Sequence, residues 1–423
     1  LNKKSGQAPI HTRFYYGWVI VMVAGLSVFF SGPGQTYSIS IFIDYYIEDF
    51  EYSRSLVSGL YSTATLLAGF TLFLVGRVID RLGQRIMMAA VGGLLALALF
   101  WNALIMGPIM MFVGFFLIRL LGQGSMTLIP NTLVPQWFIH KRGRALSVMA
   151  IGGFTSSALF PPLNAFLIEE AGWRMTWGIY GTVLLCLFVP LAYMFVRNQP
   201  EDIGEVPDGI IKRAGIEEAE PHIEVNEISW TLKEAMKTRA FWFILFCVIV
   251  PALVNTAVTF HLVSIMEIKG LGTGTAATVL ALMAIVGFPV TFVVGYLVDR
   301  VKVHYILAIT FFGHIATLLV LFFSNSWWLA IGFGIVWGIV NGFERIVLNI
   351  VWPNYFGRQH LGSIKGLAQT VMVTGSALGP LPFGIFYDWL GGYQEVILLT
   401  ILFPLTAAVL ALLSPQPNYK DYH

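Results

Sequence analysis

Apolar residues in this chain come in long unbroken runs, not in the alternation of a half-buried strand or the one-sided stripe of a soluble helix. Twelve runs reach the ~20 residues that a helix needs to cross roughly 30 Å of hydrocarbon. The first six lie near 15–43, 55–79, 85–106, 108–138, 143–168 and 175–197. The second six lie near 240–267, 274–298, 304–324, 327–356, 362–388 and 394–414. A membrane β-barrel is excluded, because its strands alternate apolar and polar positions. The fold class predicted is therefore an all-α membrane protein of twelve transmembrane helices in two six-helix halves.

The polar remainder sets the organisation. A terminus at 1–14 precedes a six-helix bundle at 15–197, a linker at 198–239, a second bundle at 240–414 and a terminus at 415–423. The linker is acidic in its middle (Glu217, Glu218, Glu220, Glu224), and a short amphipathic helix is expected around 230–237. Segment 1–13 is polar and basic, so no cleavable signal is expected.

Composition agrees with lipid as the solvent: 57% of residues are hydrophobic and 11% charged, against about a quarter charged in soluble domains. A net charge of +2 gives no nucleic-acid footprint. Cys186 and Cys247 fall inside apolar runs and are expected to be buried and unpaired. No cofactor or metal is expected. No phosphate-cradling loop ending in Lys-Ser or Lys-Thr, paired metal-ligand spacing or nucleophile elbow occurs, which points away from an ATP-driven pump and from an enzyme.

Lys and Arg set the orientation. Arg77, Arg81, Arg85, Lys141, Arg142, Arg144, Lys212, Arg213, Lys233, Lys237, Arg300 and Lys302 fall on one side. Only Arg54, Arg174 and Lys269 fall on the other. Both termini and the linker are expected to be cytoplasmic, in a plasma membrane (the inner membrane in a bacterium).

The halves also repeat. Gly76-Arg77-Val78-Ile79-Asp80-Arg81 returns 219 residues later as Gly295-Tyr296-Leu297-Val298-Asp299-Arg300. Ser157-Ala158-Leu159-Phe160-Pro161 returns at the same offset as Ser376-Ala377-Leu378-Gly379-Pro380. Asn131 and Pro135 return 218 residues later as Asn349 and Pro353. Repeats of six spans keep their orientation, so an axis along the membrane normal relates them, with a solute site expected near the midplane between them.

The segment from Gly76 to Arg85 resembles the cytoplasmic loop signature of the major facilitator superfamily, and Arg119-x-x-Gly122-x-Gly124 is similar to a second motif of that family. The resemblance spans essentially the whole chain and implies a gradient-driven transporter working by alternating access. It implies a latch of Asp80, Arg81 and Arg85, repeated as Asp299 and Arg300. Asp80 would pair with basic residues and accept bonds from a neighbouring helix start; the alternative is that these charges only anchor topology.

Tyr16-Gly17-Trp18, Ser53-Arg54-Ser55, Trp137-Phe138-x-x-Lys141-Arg142, Ala145-Leu146 and Gly152-Gly153 resemble the oxalate/formate antiporter and monocarboxylate transporter groups. Those groups carry an arginine within span eight. Here residues 275–298 hold no charge before Asp299, so another cation must hold a carboxylate.

Charges deep in spans are costly and mark candidate sites. Three stand out: Arg119 in span four, and Glu344 and Arg345 in span ten. Arg119 and Gln123 share a helix face and would grip a carboxylate; the alternative is that Arg119 belongs to a conformational hydrogen-bond network. Asn341, Arg345 and Asn349 share a face, which makes Arg345 a candidate anion anchor. Glu344, about 100° round the helix, is a candidate proton carrier or else a static pair with a neighbouring donor. Span one breaks at Ser31-Gly32-Pro33-Gly34 and offers Gln35 and Tyr37, while span seven offers Asn255 and His261. His261 is a candidate proton carrier or a packed hydrogen-bonding residue, and His314 is assigned no role.

The resulting expectation is a monomeric secondary transporter of a small organic anion, a monocarboxylate, by proton symport or anion exchange. The alternative is proton-driven efflux of amphipathic drugs or cations recognised by Glu344.

Overall fold

The computed structural model describes residues 9–10, 12–52, 54–209 and 229–418, and every regular element among them is helical. The acidic run of the linker and Ser53 lie outside the described residues. Among the described residues, eleven helical stretches are long and apolar enough to cross a membrane. One of them, Arg142–Phe195, has 54 residues, which at 1.5 Å rise is about 80 Å and far more than one crossing requires. Gly172 breaks it with φ 80° and ψ 157°, a conformation essentially restricted to glycine. It therefore supplies spans five (142–171) and six (173–195), and the chain has twelve spans.

The other spans follow the apolar runs closely. Span one is interrupted as its Gly-Pro-Gly predicts: Gly17–Phe30, a 3-10 turn Gly32–Gly34, then Thr36–Phe50. Spans two, three and four are Arg54–Leu82, Gln84–Ala103 and Pro108–Trp137. Spans seven to ten are Arg239–Ile268, Thr273–Leu297, Val303–Phe323 and Trp327–Phe356. Span eleven is Leu361–Leu378 continued as Pro380–Leu390, and span twelve is Gln394–Thr400 with Leu402–Leu412. The short helix expected in the linker is a single turn, Leu232–Ala235.

Two compact units result: Leu1–Leu232 with Phe356–Gly366, and Lys233–Tyr355 with Leu367–His423. In the first, a Cβ on Gly152 would collide with the Gly25 backbone, so that glycine lets spans one and five touch. In the second, Gly334, Gly338 and Gly342 lie against Val279, Met283, Val286 and Val290. This glycine stripe of period four draws span ten onto span eight.

Large apolar side chains such as Ile109, Phe260 and Trp328 stand exposed on the spans, as a lipid-facing surface requires. Cys186 is among the exposed residues, a correction to its expected burial; Cys247 is buried and both are free. Trp and Tyr favour membrane–water interfaces, and on sequence position Tyr16, Trp173, Trp177, Trp327 and Trp328 are expected there. Trp327 and Trp328 are exposed, but Tyr16, Trp173 and Trp177 are buried. Trp173 donates to Asp49 Oδ2 (2.7 Å) and Trp177 to the Tyr46 hydroxyl (2.8 Å), so they are packing residues.

Candidate functional site

The break in span one leaves backbone groups without helical partners, and Arg119 meets them. Its Nη1 donates to the Gly34 carbonyl (3.1 Å) and to Thr36 Oγ1 (3.2 Å), and Nε donates to Thr65 Oγ1 (3.1 Å). The guanidinium lies over the Tyr61 ring at 5.1 Å. Residues Arg119–Ser125 are wound as a π-helix, an irregularity frequent at functional sites. There Gly122 approaches Gly34 so closely that a Cβ on either would clash with backbone. Arg119 is buried, and among the described residues no carboxylate pairs with it and Nη2 has no hydrogen-bond partner. A buried cation without a counter-charge is an expensive arrangement.

The neighbouring candidates divide. Gln35 Nε2 donates to Ser31 Oγ (3.0 Å), and the Tyr37 hydroxyl pairs with Ser156 Oγ (2.7 Å), which itself donates to Phe29 O. Both brace the broken helix. Gln123 is half-buried, and its carbonyl accepts from Thr127 Oγ1 (2.6 Å).

In span ten the two charges point apart: Glu344 is buried and Arg345 exposed. Glu344 Oε1 meets His314 Nε2 of span nine, and Oε2 accepts from Asn255 Nδ2 of span seven (2.8 Å). Trp337 Nε1 donates to Asn255 Oδ1 (2.9 Å). His314, assigned no role from sequence, is thus the direct partner of the carboxyl. Trp337 is buried and orients the amide. Asn341 and Asn349 donate to the carbonyls of Trp337 (3.1 Å) and Arg345 (2.9 Å) on their own helix.

His261 is saturated: Nε2 meets the Pro380 carbonyl and Nδ1 the Tyr393 hydroxyl, each at 3.1 Å. A carbonyl only accepts, so Nε2 donates to Pro380, while the Tyr393 hydroxyl on the Nδ1 side donates onward to Ser264 Oγ (3.1 Å). This is the arrangement of a packed histidine.

At the end bearing the basic loops, Asp80 accepts from the backbone N–H of Gly362 (2.8 Å) and of Ser363 (2.7 Å), and from the Ser363 hydroxyl. These are the first N–H groups of span eleven, where an anion is favoured by the helix dipole. The bonds from a helix start are present as expected. Pairing of Asp80 with Arg81 or Arg85 is not: Arg81 is exposed, and Arg85 donates from Nε to the Tyr193 carbonyl (3.0 Å) and covers that ring at 4.7 Å. In the second repeat Arg300 lies over the Tyr296 ring at 4.0 Å, and Asp299 is half-buried beside it. A polar cavity of about 320 Å³ adjoins Asp80, lined also by Gln84, Gln136, Asn198 and Gln359.

Three participants were missed in the sequence. Lys365, a cation one turn into span eleven, is buried and donates to the Asn131 carbonyl (2.9 Å); its place inside an apolar run was the available signal. Asp208, with a left-handed backbone (φ 62°), accepts from three consecutive N–H groups, Ile139 (3.0 Å), His140 (2.8 Å) and Lys141 (3.2 Å). Glu205 lies near it; burial holds its carboxyl above the ordinary range, and Oε2 has no partner among the described residues.

The family profile described as Major Facilitator Superfamily matches residues 18–380. The chain belongs to that superfamily of membrane transporters. A curated Bacillus subtilis relative, the uncharacterized MFS-type transporter YcxA, is 23% identical over 401 residues, covering 88% of this chain and 90% of that one. Among solved structures, the transporter FucP in its outward conformation aligns at TM-score 0.68 and 16% identity, covering 95% of this chain and all of that one. The human organic anion transporter MFSD10 aligns at TM-score 0.68 and 13% identity, covering 93% and 98%. At such identities the likeness establishes the fold alone.

Proposed function

We propose that this transporter moves a small organic anion, a monocarboxylate, by alternating access. The observation that carries the reading is Arg119: a buried guanidinium, without a carboxylate partner among the described residues, keeping one donor nitrogen uncommitted. An anion that accepts from Nη2 would supply the missing charge, and a guanidinium suits the planar carboxylate better than a lysine would. Arg345 of span ten is a further candidate anion anchor, in place of the arginine that span eight lacks. Glu344 carries a coupling proton, which makes the cycle a symport. Positive-inside placement supports reading the Asp80 end as cytoplasmic, with Asp80 as the latch on that side. The fold itself leaves the cargo open, since proteins described as a fucose:proton symporter and as an organic anion transporter share it. Cation efflux through Glu344 is less well supported, because its carboxyl already faces His314 and accepts from Asn255.

The test is a thermal-shift screen of short carboxylates at two pH values, followed by flux of the hits in proteoliposomes. Arg119→Ala and Arg345→Ala should each lower uptake at least tenfold, the scale of one lost charged hydrogen bond (~1.5–3 kcal/mol). Undiminished uptake by both variants would sink the anion site.

A further inference from the structure

Four side chains from four helical positions meet inside the second unit, and their donor and acceptor chemistry favours one place for a proton. Trp337 Nε1 is a donor only, so the Asn255 amide must turn its oxygen toward it. That leaves Asn255 Nδ2, also a donor only, facing Glu344 Oε2. Oε2 already spends a lone pair on that N–H, which makes Oε1 the more favourable oxygen for a proton. The group that Oε1 meets is His314 Nε2.

Resting on the reading that Glu344 couples a proton, we propose that His314 and Glu344 hold that proton jointly, with His314 as the second coupling residue. One proton between them gives a pair of zero net charge, written as imidazole and carboxylic acid, the form without separated charges in an apolar span. Removing it leaves one uncompensated negative charge in an apolar span, which is costly until the site is wetted. His314 Nδ1 is buried and has no partner among the described residues, so it is the atom through which water can take up or deliver the proton.

The surroundings add little competing charge: span twelve, packed along span nine, has Glu395 as its one titratable residue, exposed in its first turn. His314 stacks on Phe311 of its own helix, with ring centroids 6.0 Å apart. Span eight, packed on span ten through the glycine stripe, has no titratable side chain except Tyr296 near its end. On span seven the facing group is Asn255, and His261 is occupied by Pro380 and Tyr393. Arg345 follows Glu344 in sequence but is exposed where Glu344 is buried.

The experiment has two arms. Infrared difference spectra of the purified protein, titrated from about pH 5 to about pH 9 around the ordinary histidine range, need no substrate. They should show a carboxylic-acid C=O band that Glu344→Gln removes and that His314→Gln displaces in midpoint by at least about one pH unit, or tenfold in proton affinity. In the second arm, proteoliposomes are given radiolabelled pyruvate. In His314→Gln, accumulation driven by a pH gradient should fall at least tenfold more than pyruvate counterflow does. A band absent from the wild type, or unmoved by His314→Gln, overturns the shared proton. Wild-type pyruvate flux that ignores the pH gradient overturns the symport reading instead, and the infrared arm then stands by itself.

Discussion

Arg119 Nη1 donates to the carbonyl oxygen of Gly34 at 3.1 Å, a bond between residues 85 positions apart. The glycines and proline that break span one free this carbonyl, and the arginine of span four takes it up. The guanidinium therefore has a structural duty as well as a charge to offer, which a conservative substitution can separate.

Arg119→Lys should keep the charge but not the fork that reaches Gly34, Thr36 and Thr65 together. We expect uptake at least tenfold below wild type with a melting temperature nearer to wild type than that of Arg119→Ala. Equal uptake by the lysine variant would show that only the charge matters.

Asp80→Asn retains shape but removes the charge at the start of span eleven, an interaction of about 1 kcal/mol. Transport should fall several-fold with little loss of folded yield. Gly362→Ala should do at least as much harm, since its Cβ would press on the Asp80 carboxylate and the Gly76 carbonyl. Wild-type rates in both variants would leave the latch without a role.

Asp208→Ala leaves three backbone N–H groups without their acceptor, at about 1–3 kcal/mol for each one that water cannot reach. Asn at the same position keeps an acceptor and tolerates the left-handed backbone. Melting temperatures should therefore fall in the order wild type, Asp208→Asn, Asp208→Ala, and a reversed order would refute the clamp.

Glu205 gives a pH dependence of stability. Its carboxyl is raised by burial, so the folded chain binds its proton more tightly than the unfolded chain does. This contribution is fully present below the ordinary carboxyl range and is lost as pH rises through the folded value. Glu205→Gln should therefore raise the melting temperature near neutral pH and change it little in acid; the opposite trend would contradict the assignment.

The sequence made the spans legible because lipid demands long apolar runs, and such runs survive any rearrangement of neighbours. It also showed the break at Gly32–Gly34, which follows from local chemistry, and through the loop motif an Asp80 that accepts from a helix start, though not which helix. Partnership inside the bundle was not legible. His314 and Glu344 sit on different helices, and nothing in their spacing of 30 residues announces contact. Asp208 was hidden for another reason: an isolated linker aspartate looks solvated until its backbone turns left-handed.

One glycine settles a question of parity. Without the positive-φ glycine at 172, the chain would cross eleven times, and its two ends would emerge on opposite faces of the bilayer. A single non-helical residue restores an even number of crossings. The topology of everything downstream, more than half of the chain, thus depends on a position where no side chain exists to draw the eye.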